Sequence, residues 1–476
     1  MPGNSPGFEE TWAQTRRSAE QLQHRLNDAD ERFAGIFADD AGQLTIRLTG
    51  SAMQASPALE ARLQRELQHG SLRHISARSA GITAQVYEAA ADFTFRELAA
   101  WREQVTARLL GSSRFPAVIS VFIDEAENHI AIGIDAGQFH ARSRAEIHDF
   151  LTHTLDIPPD AVHLFADEPD VEDVFLNHTT VPDFRTKQIA SQEFGLLTED
   201  TDPGNWSGSI QDRQRPLAGG LRIRYGSSSL CTMGFFGTSG DREVMVTNAH
   251  CSELPHRTGN TIYWQGARDN DDDEIGIEYD GGDPSMEACV EINDDCWPCK
   301  WSDASLVQLN VEVPRLPANI VKTTGVSEDW MTNGSLVINP TDPVFTVVGQ
   351  ELSFIQGMEV HKVGGNSGWS AGLVTRVCYD SRRSSHRFML QCQNRARYST
   401  DGGGTSGSPV FVRLPESSFP DVSNPVAIAG IHWGSSGRDT PGGYSVFSPM
   451  SGILADFPEF EIARVEPPVS AMMWDE

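Results

Sequence analysis

The first 230 residues contain no cysteine, although the 476-residue chain has seven. Cys231, Cys251, Cys289, Cys296, Cys299, Cys378 and Cys392 all fall in one later segment. That placement implies disulfides in one domain and none in the other. Zinc is disfavoured, because Cys296-Trp-Pro-Cys299 is the single C-x-x-C and a structural zinc site needs a second pair of ligands. No run of 18 apolar residues occurs, so no membrane-spanning helix is expected. Basic residues are scarce: 37 Lys and Arg stand against 66 Asp and Glu, a formal charge of −29, and no basic stripe is present. This argues against nucleic acid or an anionic membrane as a partner. The opening stretch, MPGNSPGFEETWAQ, is acidic and has no apolar core, so it does not read as a secretory signal. That stands against the oxidising compartment the cysteines imply.

What is present is a globular composition, long enough for two or three domains. Residues 9–33 carry Trp12, Leu22, Leu26 and Phe33 in a helical pattern, and Gln43-Leu-Thr-Ile-Arg-Leu48 alternates as a half-buried strand does. Helices are expected over 57–69, 94–110 and 143–155, and strands over 117–123, 129–134 and near 161–165. The stretches 37–46 and 122–132 echo one another, each a hairpin followed by a helix. Either they are two small α+β subdomains, 1–110 and 111–170, or hairpins with acidic turns simply look alike. From 171 to 216 the pattern breaks up around a turn-rich stretch, 201–209, and a linker is expected. From 217 to 457 short apolar runs alternate with Gly, Asp, Ser and Asn clusters, which predicts an all-β domain, followed by a tail over 458–476.

Three motifs in this half carry chemistry. Val246-Thr-Asn-Ala-His250-Cys251 ends an apolar strand, Trp301-Ser-Asp303-Ala-Ser-Leu-Val307 begins one, and Gly402-Gly-Gly404-Thr-Ser406-Gly-Ser408-Pro-Val410 is a glycine-rich turn entering another. A serine hydroxyl is a weak nucleophile until a histidine takes its proton, and a buried carboxylate fixes that histidine's tautomer. Glycines at the turn let backbone N–H groups of Gly404 and Ser406 converge as an oxyanion hole. Asp294 and Asp295 compete with Asp303, and Gly365-Asn-Ser367-Gly-Trp369 is a decoy for the serine that lacks the following Ser-Pro-Val strand.

Taken together, the order His250, Asp303, Ser406 with these contexts resembles the chymotrypsin-like serine proteases. Pro216-Leu-Ala-Gly-Gly220, Cys231-Thr-Met-Gly-Phe235, Gly364–Gly372 and Gly430-Ile-His-Trp-Gly434 resemble the bacterial secreted branch, the streptogrisins and α-lytic-type enzymes, over residues 216 to 457. The resemblance implies an all-β double-barrel protease domain preceded by an α+β pro-region that serves as folding chaperone and inhibitor, removed by cleavage between Glu193 and Gly220. It implies an extracellular endopeptidase acting on proteins or peptides, with no cofactor and no metal. It also implies the disulfides Cys231–Cys251 and Cys378–Cys392, and Cys289 bonded to Cys296 or Cys299. Thr405 replaces the Asp that trypsin-type zymogens place before the nucleophile, so their ion-pair switch is not available. Thr400, Gly403, His432, Trp433 and Gly434 are the expected substrate-binding positions. Thr400 in place of an Asp argues against a basic P1 residue. His432 either binds an acidic P1 side chain, as in glutamyl endopeptidases, or packs as an ordinary strand residue. The acidic run 269–274 lacks the glycine and terminal glutamate of an EF-hand loop and reads as a solvated charge cluster. The competing function is a catalytically silent protease-fold binding module with an N-terminal interaction domain.

Overall fold

The structure is a computed structural model that describes residues 16, 20–39, 42–50, 54–68, 70, 72, 86–173, 206–226, 229–266, 271–284, 297–383, 387–399, 403–436 and 443–465. An α+β region is followed by an all-β half, as the sequence implies.

The N-terminal region contains the same unit twice. Phe33–Ala38 and Leu44–Thr49 form an antiparallel hairpin, the helix Pro57–Gln68 follows, and Val86–Ala91 returns parallel to the second strand. Val118–Asp124 and His129–Asp135 repeat the hairpin, Ala141–His153 the helix and Val162–Asp167 the parallel return. The echo between 37–46 and 122–132 is therefore a shared topology. Local sequence explains each part. Leu44, Ile46 and Leu48 are buried and their neighbours are not, the period-two pattern of one covered face. The helix Phe95–Val105 starts at a capping box, in which Thr94 Oγ1 accepts from Glu97 N and Glu97 Oε2 accepts from Thr94 N. Asn128 turns the second hairpin with φ at 58°, a conformation asparagine tolerates. Its side-chain oxygen accepts from Asp92 N and Phe93 N, which ties the second unit to the first.

The C-terminal half is built on two sheets. One has eight strands and carries Arg242–Asn248 beside Ala304–Leu309. The other has fifteen and carries Pro409–Arg413 beside Pro425–Ser436. The second N-terminal unit belongs to this larger sheet. Val118–Asp124 pairs antiparallel with the long strand Gly368–Arg383, Val121 opposite Asp380 and Ser120 opposite Ser381. The two regions share a core in which Leu22, Phe33, Leu98 and Ile132 join Ile355, Met358, Cys378 and Met389. A buried ion pair adds to the contact: Arg16 Nη2 lies 2.8 Å from Asp380, which also accepts from Thr106 Oγ1 at 2.7 Å.

The stretch 171–216 is not a linker at either end. Val171–Glu172 is a strand on Pro425–Ser436. Trp206 and Ile210 are buried in the second core, and Trp206 Nε1 donates to Pro216 O. An indole and an isoleucine contribute apolar area that a solvated linker would waste. Residues 174–205 lie outside the described residues. The tail expected from 458 likewise begins with a strand, Phe460–Ile462, paired with Phe236–Ser239.

Candidate active site

His250 stands just past the strand Arg242–Asn248, and Asp303 just before its neighbour Ala304–Leu309. Because Asn248 pairs with Ala304, the two strand ends bring these side chains together. His250 Nδ1 donates to Asp303 Oδ2 at 2.7 Å, and His250 N donates to Asp303 Oδ1 at 3.2 Å. The Asp303 backbone is itself fixed, its carbonyl accepting from Asn248 Nδ2 and Ala249 N and its N–H donating to Ser448 Oγ. Both side chains are fully buried. Burial disfavours charge on each, yet their mutual attraction raises His250 above its ordinary value and lowers Asp303 below its own. The disulfide Cys231–Cys251 closes beside His250, and Cys378–Cys392 ties the long hairpin. Cys299 is also disulfide-bonded, while Cys289 and Cys296 lie outside the described residues.

Ser406 lies in the turn before Pro409–Arg413 and is fully buried. Its hydroxyl donates to Trp433 O at 3.4 Å, and His250 Nε2 has no hydrogen-bond partner among the described residues. Gly404 adopts φ of +92°, where a side chain would be strained and a Cβ would meet Asn366 Nδ2 at 2.6 Å. The decoy Ser367 is placed differently. It sits in the tight turn between Glu359–Gly364 and Gly368–Arg383, and its hydroxyl accepts from the buried amine of Lys362 at 2.7 Å. Burial lowers that amine to about 7.

The chain's own segment ending at Asp173 packs against the residues around Ser406. Asp173 N donates to Trp433 O at 3.2 Å, and Asp173 O accepts from Gly404 N at 3.0 Å. Upstream, Glu172 pairs with Gly434 and Val171 with Ser435, antiparallel. The Asp173 carboxylate accepts from His432 Nε2 at 2.9 Å and from Ser435 Oγ at 2.8 Å. Burial, with the nearby charge of Lys362, holds His432 well below the ordinary histidine value. The neutral ring then accepts from Tyr398 OH at Nδ1 (3.3 Å) and donates at Nε2.

Of the expected substrate-binding positions, His432, Trp433 and Gly434 contact this segment. Gly403 lies in the adjoining turn, its carbonyl accepting from Asn366 Nδ2, and Thr400 falls outside the described residues. His432 lies within its strand and also hydrogen-bonds the Asp173 carboxylate. The sequence reading missed Ser435, His256, Arg383 and Arg395, whose roles depend on the segment 167–173. One signal pointed to them: five of those seven residues are acidic, and six arginines fall between 376 and 397.

No family model and no curated protein matches the chain. Among solved structures it is similar to Thermobifida fusca Protease A (17% identity, 52% of this chain and 98% of that one, TM-score 0.33). It is similar to a Nocardiopsis protease at 16% identity, over 52% of this chain and 98% of that one, with a TM-score of 0.34. A serine protease described as glutamic acid specific, with a histidine triad in substrate binding, matches at 17% identity over 52% of this chain and 100% of its own, TM-score 0.33. The chain joins an all-β half to an α+β region, and over about half its length it is similar to bacterial chymotrypsin-like proteases.

Proposed function

We propose that the protein is a secreted serine endopeptidase that cleaves after acidic residues and is held in check by its own N-terminal region. The observation that carries this reading is the position of Asp173, whose carbonyl oxygen meets Gly404 N–H while its carboxylate meets His432 and Ser435. That is where a P1 residue belongs if Ser406 is the nucleophile. Ser406 Oγ attacks the P1 carbonyl carbon and gives its proton to His250 Nε2. Asp303 keeps the proton of Nδ1 in place and stabilises the imidazolium. Negative charge on the carbonyl oxygen is met by the N–H groups of Gly404 and Ser406, a class of donor worth about a hundredfold or more in rate. His250 then protonates the leaving amine, and water repeats the sequence to free the acyl-enzyme. Asp173 also makes Asp173–Val174 the bond for self-cleavage, upstream of the window between Glu193 and Gly220. In that scheme the N-terminal region is the enzyme's folding partner and first substrate. The two disulfides support an extracellular setting.

A second reading has one observation in its favour. Ser406 Oγ is turned to Trp433 O and His250 Nε2 is unpartnered among the described residues, the arrangement of a silent module. Catalytic hydrogen bonds often tighten only with substrate in reacting position. A fluorophosphonate probe separates the two readings. Labelling abolished by Ser406→Ala and retained by Ser367→Ala supports the enzyme. A chain that neither labels nor cleaves peptides with Asp or Glu at P1, even after Asp170→Asn, Glu172→Gln and Asp173→Asn have loosened its own segment, is the silent module.

A further inference from the structure

The carboxylates upstream of Asp173 are held as firmly as Asp173 itself. Glu172 Oε1 accepts from Arg383 Nη2 at 2.7 Å and from His256 Nε2 at 3.0 Å. Asp170 Oδ1 accepts from Arg395 Nη2 at 3.0 Å, and its Oδ2 from Tyr379 OH at 2.9 Å and Ser381 Oγ at 2.5 Å. Arg383 Nη1 also donates to Asp170 O at 2.7 Å. Val171, between them, is 60% exposed and touches no such group.

These two guanidinium groups are built into the protease half. Arg383 and Arg395 are 3% and 1% exposed. Arg383 stacks on the Trp433 ring, and Arg395 lies between the rings of Tyr379 and Tyr444. Stacking fixes the plane of a guanidinium and so aims its donor fork. Their carboxylate partners among the described residues, Asp167, Asp170 and Glu172, all belong to the segment 167–173. A buried cation stripped of its counterion is costly. Once the segment leaves, each arginine faces the open cleft and calls for a replacement carboxylate.

We propose that Arg383 with His256 forms an S2 pocket, and Arg395 with Tyr379 and Ser381 an S4 pocket, each selecting an acidic side chain, so that the substrates are clusters of the form acid, any residue, acid, acid. This deepens the proposed function and rests on Asp173 marking P1. The alternative is that the arginines serve only to fasten the N-terminal region. A peptide running Asp-Val-Glu-Asp into the scissile bond separates the two. It is compared with peptides carrying Asn at P4, Gln at P2 or Asn at P1, using the full chain and a full chain carrying Asp170→Asn, Glu172→Gln and Asp173→Asn to loosen its own segment. Each neutralisation is expected to lower kcat/KM roughly ten- to a hundredfold, the scale of one charge-assisted contact. Arg395→Gln should erase the P4 preference alone, and Arg383→Gln the P2 preference alone. Strong preference at P1 with none at P4 or P2 overturns this proposal and leaves the P1 reading standing. Indifference at P1, or no hydrolysis of any peptide by either chain, overturns both.

Discussion

Replacing Asp173 by Asn keeps the shape of the side chain and removes the charge that His432 and Ser435 contact. A carboxylate offers two acceptor oxygens, and here both face donors: His432 Nε2 at 2.9 Å and Ser435 Oγ at 2.8 Å. An amide keeps one acceptor and turns an NH2 toward the other donor. Because His432 is neutral, with Nδ1 already accepting from Tyr398 OH, it cannot invert its roles without losing that bond. The change removes the charge from both bonds and obliges Ser435 Oγ to accept where it had donated, about 3 kcal/mol together. That corresponds to roughly a hundredfold in rate. The backbone bonds to Trp433 O and Gly404 N are untouched, so the segment should still dock. The assay is a time course of intact mass on the purified full chain at neutral pH, with Ser406→Ala as the uncleaved control. The parent is expected to yield a fragment ending at Asp173, and Asp173→Asn to yield it about a hundredfold more slowly. Cleavage after residue 173 at the parental rate would refute the assignment of His432 and Ser435 as the groups that read P1.

Three further outcomes follow from the rest of the molecule. The base His250 must be neutral to act, and Asp303 raises it above its ordinary value, so kcat/KM should climb as pH passes up through that value. Asp303→Asn should move this limb to lower pH and cut kcat by about 10⁴; a limb that stays in place would show that another group sets it. Burial raises the Glu125 carboxyl to about 8. The folded chain thus keeps a proton that the unfolded chain gives up, and stability is lost as pH rises from about 4.5 to about 8. The Tm of Glu125→Gln should gain on the parent across that window, by the equivalent of roughly 5 kcal/mol at most, and a gap flat in pH would contradict the buried carboxyl. Finally, the Cys231–Cys251 bridge closes a loop of sequence separation 20 next to His250. The double serine variant should lose about 3 kcal/mol by denaturant titration, and an unchanged midpoint would mean that the loop is held by packing alone.

What could be read in advance was whatever a few adjacent residues specify. His250, Asp303 and Ser406 each sit at a strand end or a glycine turn, so their contexts are local, and strand pairing does the rest. The helices and hairpins of the N-terminal region were legible for the same reason, because period and capping are short-range properties. Val171–Glu172 was not, since a two-residue strand has no period to detect. Nor were the roles of His256, Arg383 and Arg395. His256 meets Glu172 across 84 residues and Arg395 meets Asp170 across 225. Those contacts depend on the register of a hairpin against a region folded separately in the sequence. Only the charge pattern bridged that distance, an acidic stretch and an arginine cluster in a chain otherwise short of bases.

The same register sets where the acidic segment lies. Val118–Asp124 adds to the edge of Gly368–Arg383 with Val121 opposite Asp380, and Val162–Asp167 runs two strands away in that sheet. Asp167 meets Arg395 Nη1, and three residues later Asp170 meets Nη2 of the same side chain. From that point the chain enters the cleft with its position already set, Val171 opposite Ser435 and Glu172 opposite Gly434. A slip of one residue would send alternate side chains to opposite faces. Asp173 would leave His432, and Glu172 would leave Arg383. The docked sheet therefore works as a ruler that decides which residue reaches Gly404. The buried Arg16–Asp380 pair helps hold that ruler, since Asp380 also accepts from Cys392 N in the hairpin that carries Arg383 and Arg395. Weakening the pair should loosen the whole acidic segment together, because its carboxylates share one scaffold and do not bind as independent ligands.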